Sequence, residues 1–383
     1  MRILALLFIL SCATETSYAQ VIEDIQEDQH AWAQIAQEIG HHDIICLGEE
    51  SHWVETFLEV KLELIKHLHQ KSGFKVLIFE SGFVNSFMAY EEQLRGREHL
   101  EEALYTIWQT KSTLELFQYQ TAEWSDGNFL WFWGCDLKGP KSYRFSRYLR
   151  QKLKRLNAPY AEEMRKVDSS FVEVRMDWEP AIGKAYRGTY LSQQTADSIR
   201  RVYLAMQDSF TAHKELIFES LPTSEIRYQF TLQCLANRIH LLNLMQLPTY
   251  QEKHQFRDSI MAENTHWLLT KWAPNHNKYM LWGADIHLSK NAKWEANGAA
   301  WQSNRSLVEH LLGRTSKSIF SVGIKARKRL DKSLRKELGL KSSKVYWMNQ
   351  HSLPEGLEMP FADEHDALII CGTIKGLNKL KRK

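Results

Sequence analysis

Cysteine is scarce in this chain, five in 383 residues, and no two form a CxxC pair. That excludes a disulfide-built scaffold and a cysteine metal site. Cys46, Cys135, Cys234 and Cys371 are widely spaced, and three lie inside strand-like apolar runs, the setting of buried free thiols. A charge excess is also missing: 49 Lys and Arg against 46 Asp and Glu leave a formal charge of +3. With no basic stripe, nucleic acid is not an expected partner. After the first residues no apolar run approaches the roughly 18 residues of a membrane span. Repeats and low-complexity stretches are absent as well. What is present is a composition 44% hydrophobic and 25% charged, enough for a sizeable core in one large or two modest domains. The 13 tryptophans are dispersed, as core and pocket residues are.

The opening stretch MRILALLFILSCATETSYAQ has one positive charge, Arg2, ahead of the apolar run Leu4–Leu10. Ser17-Tyr18-Ala19 has the small-x-small form of a cleavage site, so residues 1–19 are expected to be a signal peptide of an exported, periplasmic or secreted protein. Lipidation at Cys12 is a lesser alternative, because Leu10 fits that processing signal poorly.

Short apolar runs recur along the chain: DIICLG, KVLIFE, NFLWFWGCD, KYMLWGAD, KSIFSVG and HDALIICG. They lack clean alternation and are separated by helical patterns such as Thr56–Gln70, which is what a buried parallel sheet requires. Between about 149 and 272 no strand stands out, and SIRRVYLAMQDSF and TLQCLANRIHLLNLMQ read as amphipathic helices. The expected fold class is α/β, a mostly parallel central sheet flanked by helices. A large helical insertion, about 149–272, forms a second lobe over the cleft. The Lys/Arg-rich end KGLNKLKRK reads as a solvated tail.

Four of the expected strands end alike. LGEESH supplies Glu49 and His52, IFES supplies Glu80, GCD supplies Asp136, and GADIH supplies Asp285 and His287. Ligands of open parallel sheets bind outside the carboxyl ends of the strands. Four carboxylates and two histidines on one rim are costly unless they bind something or hold shifted proton affinities. Each acid taken alone reads more simply as a helix cap or turn residue. In HQFRDSIMAENTHWLL, Arg257, Met261, Asn264 and Leu268 share one helical face, which suggests a helix half-buried against a polar pocket with Arg257 as a carboxylate clamp or rim counter-charge. No HExxH or G-x-S-x-G motif is present, so neither a metalloprotease pair nor a serine elbow is indicated. Glu49, His52 and His287 would still make a three-ligand metal set.

LGEESHWVETF, GFKVLIFES, GCDLKGP, FRDSIMAEN, LWGADIHLSK and HDALIICGT, taken in order from about 44 to 373, resemble the signatures of the erythromycin esterase-like family. The resemblance makes 20–383 one such domain. It implies an α/β core with a helical lobe, a deep cleft between them, and hydrolysis of a macrolide lactone ester. Glu49 and His52 fall on the family's GExxH, Glu80 on its second-strand glutamate, and Arg257, Asp258 and Asn264 on RDxxMAxN. His287 falls on the last histidine of W-A-H-N-x-H, where Ala284 replaces the first histidine and Asp285 the asparagine. Trp53 stands where a glycine usually follows the GExxH histidine.

The leading expectation is an exported ester or lactone hydrolase using a histidine-activated water. His52, Glu49, Glu80 and His287 are its catalytic set, and Arg257, Asn264, Asp136, Asp285 and Trp53 its substrate contacts. The expected partner is a small-molecule substrate, with no cofactor. Two alternatives stand beside it: a metal-assisted hydrolase using Glu49, His52, Asp285 or His287, and a non-catalytic binding protein that lost activity through Ala284.

Overall fold

The computed structural model describes residues 22–23, 25, 28–93, 103–139, 141–178, 191–218, 224–291, 294–296, 299–301, 305–349 and 361–376. The expected signal peptide, residues 1–19 with Cys12, and most of the basic tail lie outside the described residues. The strands, in chain order, are β1 (Ile22–Glu23), β2 (Ile44–Glu49), β3 (Val76–Gly82), β4 (Trp131–Asp136), β5 (Tyr279–Ala284), β6 (Trp294–Ala296), β7 (Ala299–Trp301), β8 (Ile319–Ala326), β9 (Val345–Asn349) and β10 (Ala367–Cys371). Eight of them form one sheet in the order β1-β9-β10-β8-β2-β5-β3-β4, while β6 and β7 form a separate hairpin. The run from β10 to β4 is parallel throughout, and β9 and β1 add an antiparallel edge.

Strand side chains alternate between two faces, and both faces are buried. Ile44, Cys46, Val76, Ile78, Trp133, Tyr279 and Leu281 belong to one core cluster, and Ile45, Leu47, Leu77, Phe79, Met280 and Trp282 to another. A strand covered on both sides has no polar face, so its sequence is a continuous apolar run. The first cluster packs on helices that follow β3 and β4, including Phe83–Gln93, Ser224–Gln246 and Tyr250–Trp267. The second packs on Gln29–Ile39, Glu55–Ser72 and Lys111–Ser125.

Between β4 and β5 the described chain is helical, with Arg144–Leu153, Ala158–Trp178, Gln193–Ala212, Lys214–Phe218, Ser224–Gln246 and Tyr250–Trp267 in succession. This helical lobe interrupts the sheet after the third of the expected strands. A buried ion pair braces it: Arg238 Nε donates to Asp168 Oδ1 at 2.9 Å, and Tyr203 and Ser146 donate to the same carboxylate. The strand order places the site. From β2 the chain moves to β3 and β4 on one side, returns to β5 beside β2, then continues to β8 and β10 on the other side. The carboxyl ends of β2 and β5 therefore lie where the winding reverses, the customary ligand position in such sheets.

Candidate active site

Strand parity decides which helices each strand-end acid meets. Glu49 follows Ile45 and Leu47 on the face covered by Glu55–Ser72, and Glu80 follows Val76 and Ile78 on the face covered by the helical lobe. Two linked charge clusters result.

In the first, Glu49 is fully buried. Its Oε1 lies 2.8 Å from His52 Nδ1, and its Oε2 contacts Lys61 Nζ. Lys61 is also fully buried; it donates to the Gly283 carbonyl at 3.0 Å and lies 4.9 Å from the centre of the Trp282 ring. The His52 side chain is 28% exposed, and Trp108 meets its ring edge-on at 4.7 Å. With a carboxylate accepting at Nδ1, the ring carries its proton there and keeps Nε2 as a lone-pair nitrogen. Burial lowers the proton affinity of His52, helped by His287 and Arg257 and opposed by Glu80, so the ring is neutral near pH 7.

The second cluster is held by Arg257 on Tyr250–Trp267. Its guanidinium donates from Nε to both Asp136 oxygens at 3.1 and 3.0 Å, and from Nη2 to Glu80 Oε1 at 2.9 Å. The other Glu80 oxygen accepts from the Ala284 backbone N–H at 2.9 Å, and Tyr105 donates to Asp136. His287 sits between carboxylates, Nε2 3.2 Å from Glu80 Oε1 and Nδ1 2.6 Å from Asp258 Oδ1. Burial opposes its charge, but Asp258 and Glu80 outweigh burial and Arg257 and raise it to about 9. His287 is thus an imidazolium at neutral pH. Glu80 is held well below the usual carboxylate range: burial pushes it up, and His287, Arg257 and His52 overcome that. Arg257 does the same for Asp136 against its burial.

Glycine keeps the strand ends close to these acids: a Cβ on Gly48 would lie 2.5 Å from Asp285 Oδ1, and one on Gly283 3.1 Å from Glu80 Cβ and Oε2, where the acid would have to give way slightly.

Of the residues expected from sequence, Glu49, His52, Glu80, Asp136, Arg257 and His287 occupy these two clusters. Trp53 is 55% exposed beside His52. Asn264 is placed differently from the expected substrate contact. It is fully buried, its Nδ2 donates to the Cys135 carbonyl and to Asn237 at 2.8 Å each, and its Oδ1 accepts from Gln233 and Asn237. Asn264 ties its helix to β4, and the helix spacing that put it with Arg257 could not distinguish a pocket from a polar helix junction. Asp285 is not a bare rim charge either. It pairs with Lys325 from the end of β8, and His365 Nε2 lies 3.5 Å from its other oxygen.

Six participants were not picked out as site residues from sequence: Lys61, Tyr105, Trp108, His254, Lys325 and His365. Lys61 had a readable signal, since it lies one turn from both Phe57 and Ile65 on an apolar helix stripe. His254 precedes Asp258 by one turn, with Nδ1 3.9 Å from Oδ2. Trp108 and Lys325 are brought in by tertiary contact alone.

His254, Asp258 and His287 are the one group among the described residues whose donor atoms lie close enough, all within 4.8 Å, to share a metal ion. A divalent cation at this group would have to displace the proton that His287 carries and sit beside a guanidinium. His287 is protonated between two carboxylates, and Arg257 Nη1 lies 3.1 Å from its Nε2. The other expected set is committed too: Glu49 to His52 and Lys61, and Asp285 to Lys325.

The chain is thus a doubly wound, mostly parallel α/β protein with acid–histidine pairs at its strand ends. The family model described as erythromycin esterase matches residues 69–331. The chain belongs to the erythromycin esterase family. It is 24% identical over 298 residues to "Putative hydrolase YbfO" of Bacillus subtilis (strain 168), a match covering 74% of this chain and 64% of that protein. Among solved structures, a succinoglycan biosynthesis protein superposes with a TM-score of 0.68 at 12% identity, covering 91% of this chain and 92% of the other. A Bacillus cereus protein gives 0.67 at 14% identity, over 91% and 99% of the two chains. A histidine-to-asparagine mutant of the erythromycin esterase EreC in its open conformation gives 0.60 at 13% identity, over 89% and 93%.

Proposed function

We propose that this protein is an exported hydrolase that cleaves a carboxylic ester or lactone with a water activated by His52. The observation that carries the reading is the Glu49–His52 pair: a buried carboxylate fixes Nδ1 and leaves a neutral, partly exposed ring with Nε2 able to accept a proton. Water attacks the acyl carbon as Nε2 takes its proton, and the imidazolium returns that proton to the departing alkoxide. Charge on the carbonyl oxygen develops near two buried cations, Arg257 and His287, whose carboxylate partners hold them in place before substrate arrives. The family and the hydrolase relative support hydrolysis as the reaction class.

The test is turnover of purified protein against p-nitrophenyl esters, simple lactones and erythromycin, beside His52→Ala. Hydrolysis by the native protein and its loss in the variant support the reading; a panel with no turnover at any pH between 5 and 9 removes it. Export is tested by N-terminal sequencing of the protein recovered outside the cytoplasm, which should begin near Gln20.

A further inference from the structure

Lys61 is fully buried and has no place in the reaction just described. Burial pushes its amine well below the usual lysine range, with Asp285 and Glu80 opposing, and a polar group so buried is costly unless firmly partnered. Its partners all belong to the site. They are the Glu49 oxygen turned away from His52, the Gly283 carbonyl one residue before the N–H that holds Glu80, and the faces of Trp282 and Trp108 at 4.9 and 5.8 Å. Trp108 in turn packs edge-on against His52 and donates from Nε1 to the Glu80 carbonyl at 3.2 Å. Lys61 therefore joins the ends of β2 and β5 to the rings that wall His52.

We propose that Lys61 is the positioning residue of the general base: by holding the Glu49 oxygen turned away from His52, it fixes the rotation of that carboxylate and hence the Nδ1–H form of His52. The proposal rests on the reading of His52 as base. With both carboxylate oxygens held, one by Lys61 and one by His52, the group cannot turn away from the ring. A carboxylate already engaged by Lys61 on its outer oxygen pulls less on a second proton, so Glu49 orients the imidazole without forcing a proton onto it. The other charged groups acting on His52 are Glu80 from β3, His287 after β5 and Arg257 from the helical lobe. None of these touches Glu49 among the described contacts.

The experiment follows the ring 15N shifts of His52, assigned with His52→Asn, alongside p-nitrophenyl acetate turnover in the native protein, Lys61→Met and Lys61→Arg. In the native protein His52 should hold its proton on Nδ1 and titrate below the usual histidine range. In Lys61→Met the unbalanced Glu49 carboxylate should raise the His52 midpoint by about one pH unit or more. The same variant should lower kcat at pH 7 by about tenfold or more with little change in KM, and Lys61→Arg should restore part of both. A folded Lys61→Met protein with the native titration and tautomer overturns the proposal. Should Lys61→Met fail to fold, Glu49→Gln and Glu49→Gln/Lys61→Met, which has no unpaired buried charge, decide the matter. Equal kcat and equal His52 shifts in those two support action through Glu49, and a further loss in the double variant refutes it. A shifted titration without turnover in any protein, native included, would fault the hydrolase reading and leave the Lys61 assignment standing. Equal turnover and equal titration in native and Lys61→Met would do the reverse.

Discussion

The imidazole of His254 lies flat on that of His287, with ring centroids 5.0 Å apart and planes 8° from parallel, and near neutral pH only His287 carries the charge. Burial, with the fields of His287 and Arg257, lowers His254 to about 3 despite Asp258. His287, next to it, is raised to about 9. A group raised on folding stabilises fully below its unfolded pKa of about 6.5 and loses that contribution as pH rises through the folded value. A lowered histidine does the opposite, losing its contribution as pH falls from about 6.5 toward the folded value. The two limbs meet, so conformational stability should peak near pH 6.5. Urea unfolding midpoints from pH 4 to 9.5 check this, and His287→Gln should flatten the alkaline limb.

His52→Ala should cost about 10²–10⁴-fold in turnover, the usual contribution of a general base. The side chain is partly exposed and its main partner is one carboxylate, so the thermal midpoint should change little beside that loss. Steady-state kinetics and a melting curve on the same preparation make the comparison.

Arg257→Met should act differently. It leaves Glu80 and Asp136, both buried, without their shared counter-charge. Removing one partner of a buried pair costs about 3–5 kcal/mol, so the variant should lose stability as well as activity. Denaturant titration at pH 7 reads the stability loss directly.

Erythromycin should be hydrolysed poorly by the native protein if a histidine at position 284 helps place the attacked lactone, and Ala284→His should improve it. Asp285, paired with Lys325, adds no uncompensated negative charge beside position 284. Comparing kcat/KM for erythromycin and p-nitrophenyl esters in both proteins separates a lost substrate contact from a general defect.

Turnover should be unchanged by EDTA, since the carboxylates and His287 that could bind a cation are already committed to protein partners. Activity before and after chelation, with metal analysis of the sample, checks it.

The doubly buried strands were legible because two covered faces erase the alternation that would mark a solvated sheet. The acids at their ends were legible for a related reason: Glu49, Glu80, Asp136 and Asp285 each break an otherwise apolar run. β9 carries a run as apolar, VYWMN, yet it follows the lysine-rich KSSK and pairs antiparallel at the far side of β10, so nothing in it points to the site. Partners of the acids were the harder part. Lys325 reaches Asp285 from 40 residues away, through the β2–β8 pairing that brings its strand end alongside. Asn264 shows the converse: a polar residue on the expected helix face turned out to satisfy a buried junction, which periodicity alone does not separate from a pocket contact.

Arg257 and Asp258 are consecutive on one helix, yet one grips the acids of β3 and β4 and the other the histidine after β5. Every ionic contact described here between the helical lobe and the strand ends passes through that single turn. The ion pairs that join the lobe to the strand ends are thus carried by two adjacent residues. A change in the earlier helices of the lobe would leave those pairs in place, so its walls can be altered without unpairing the buried acids.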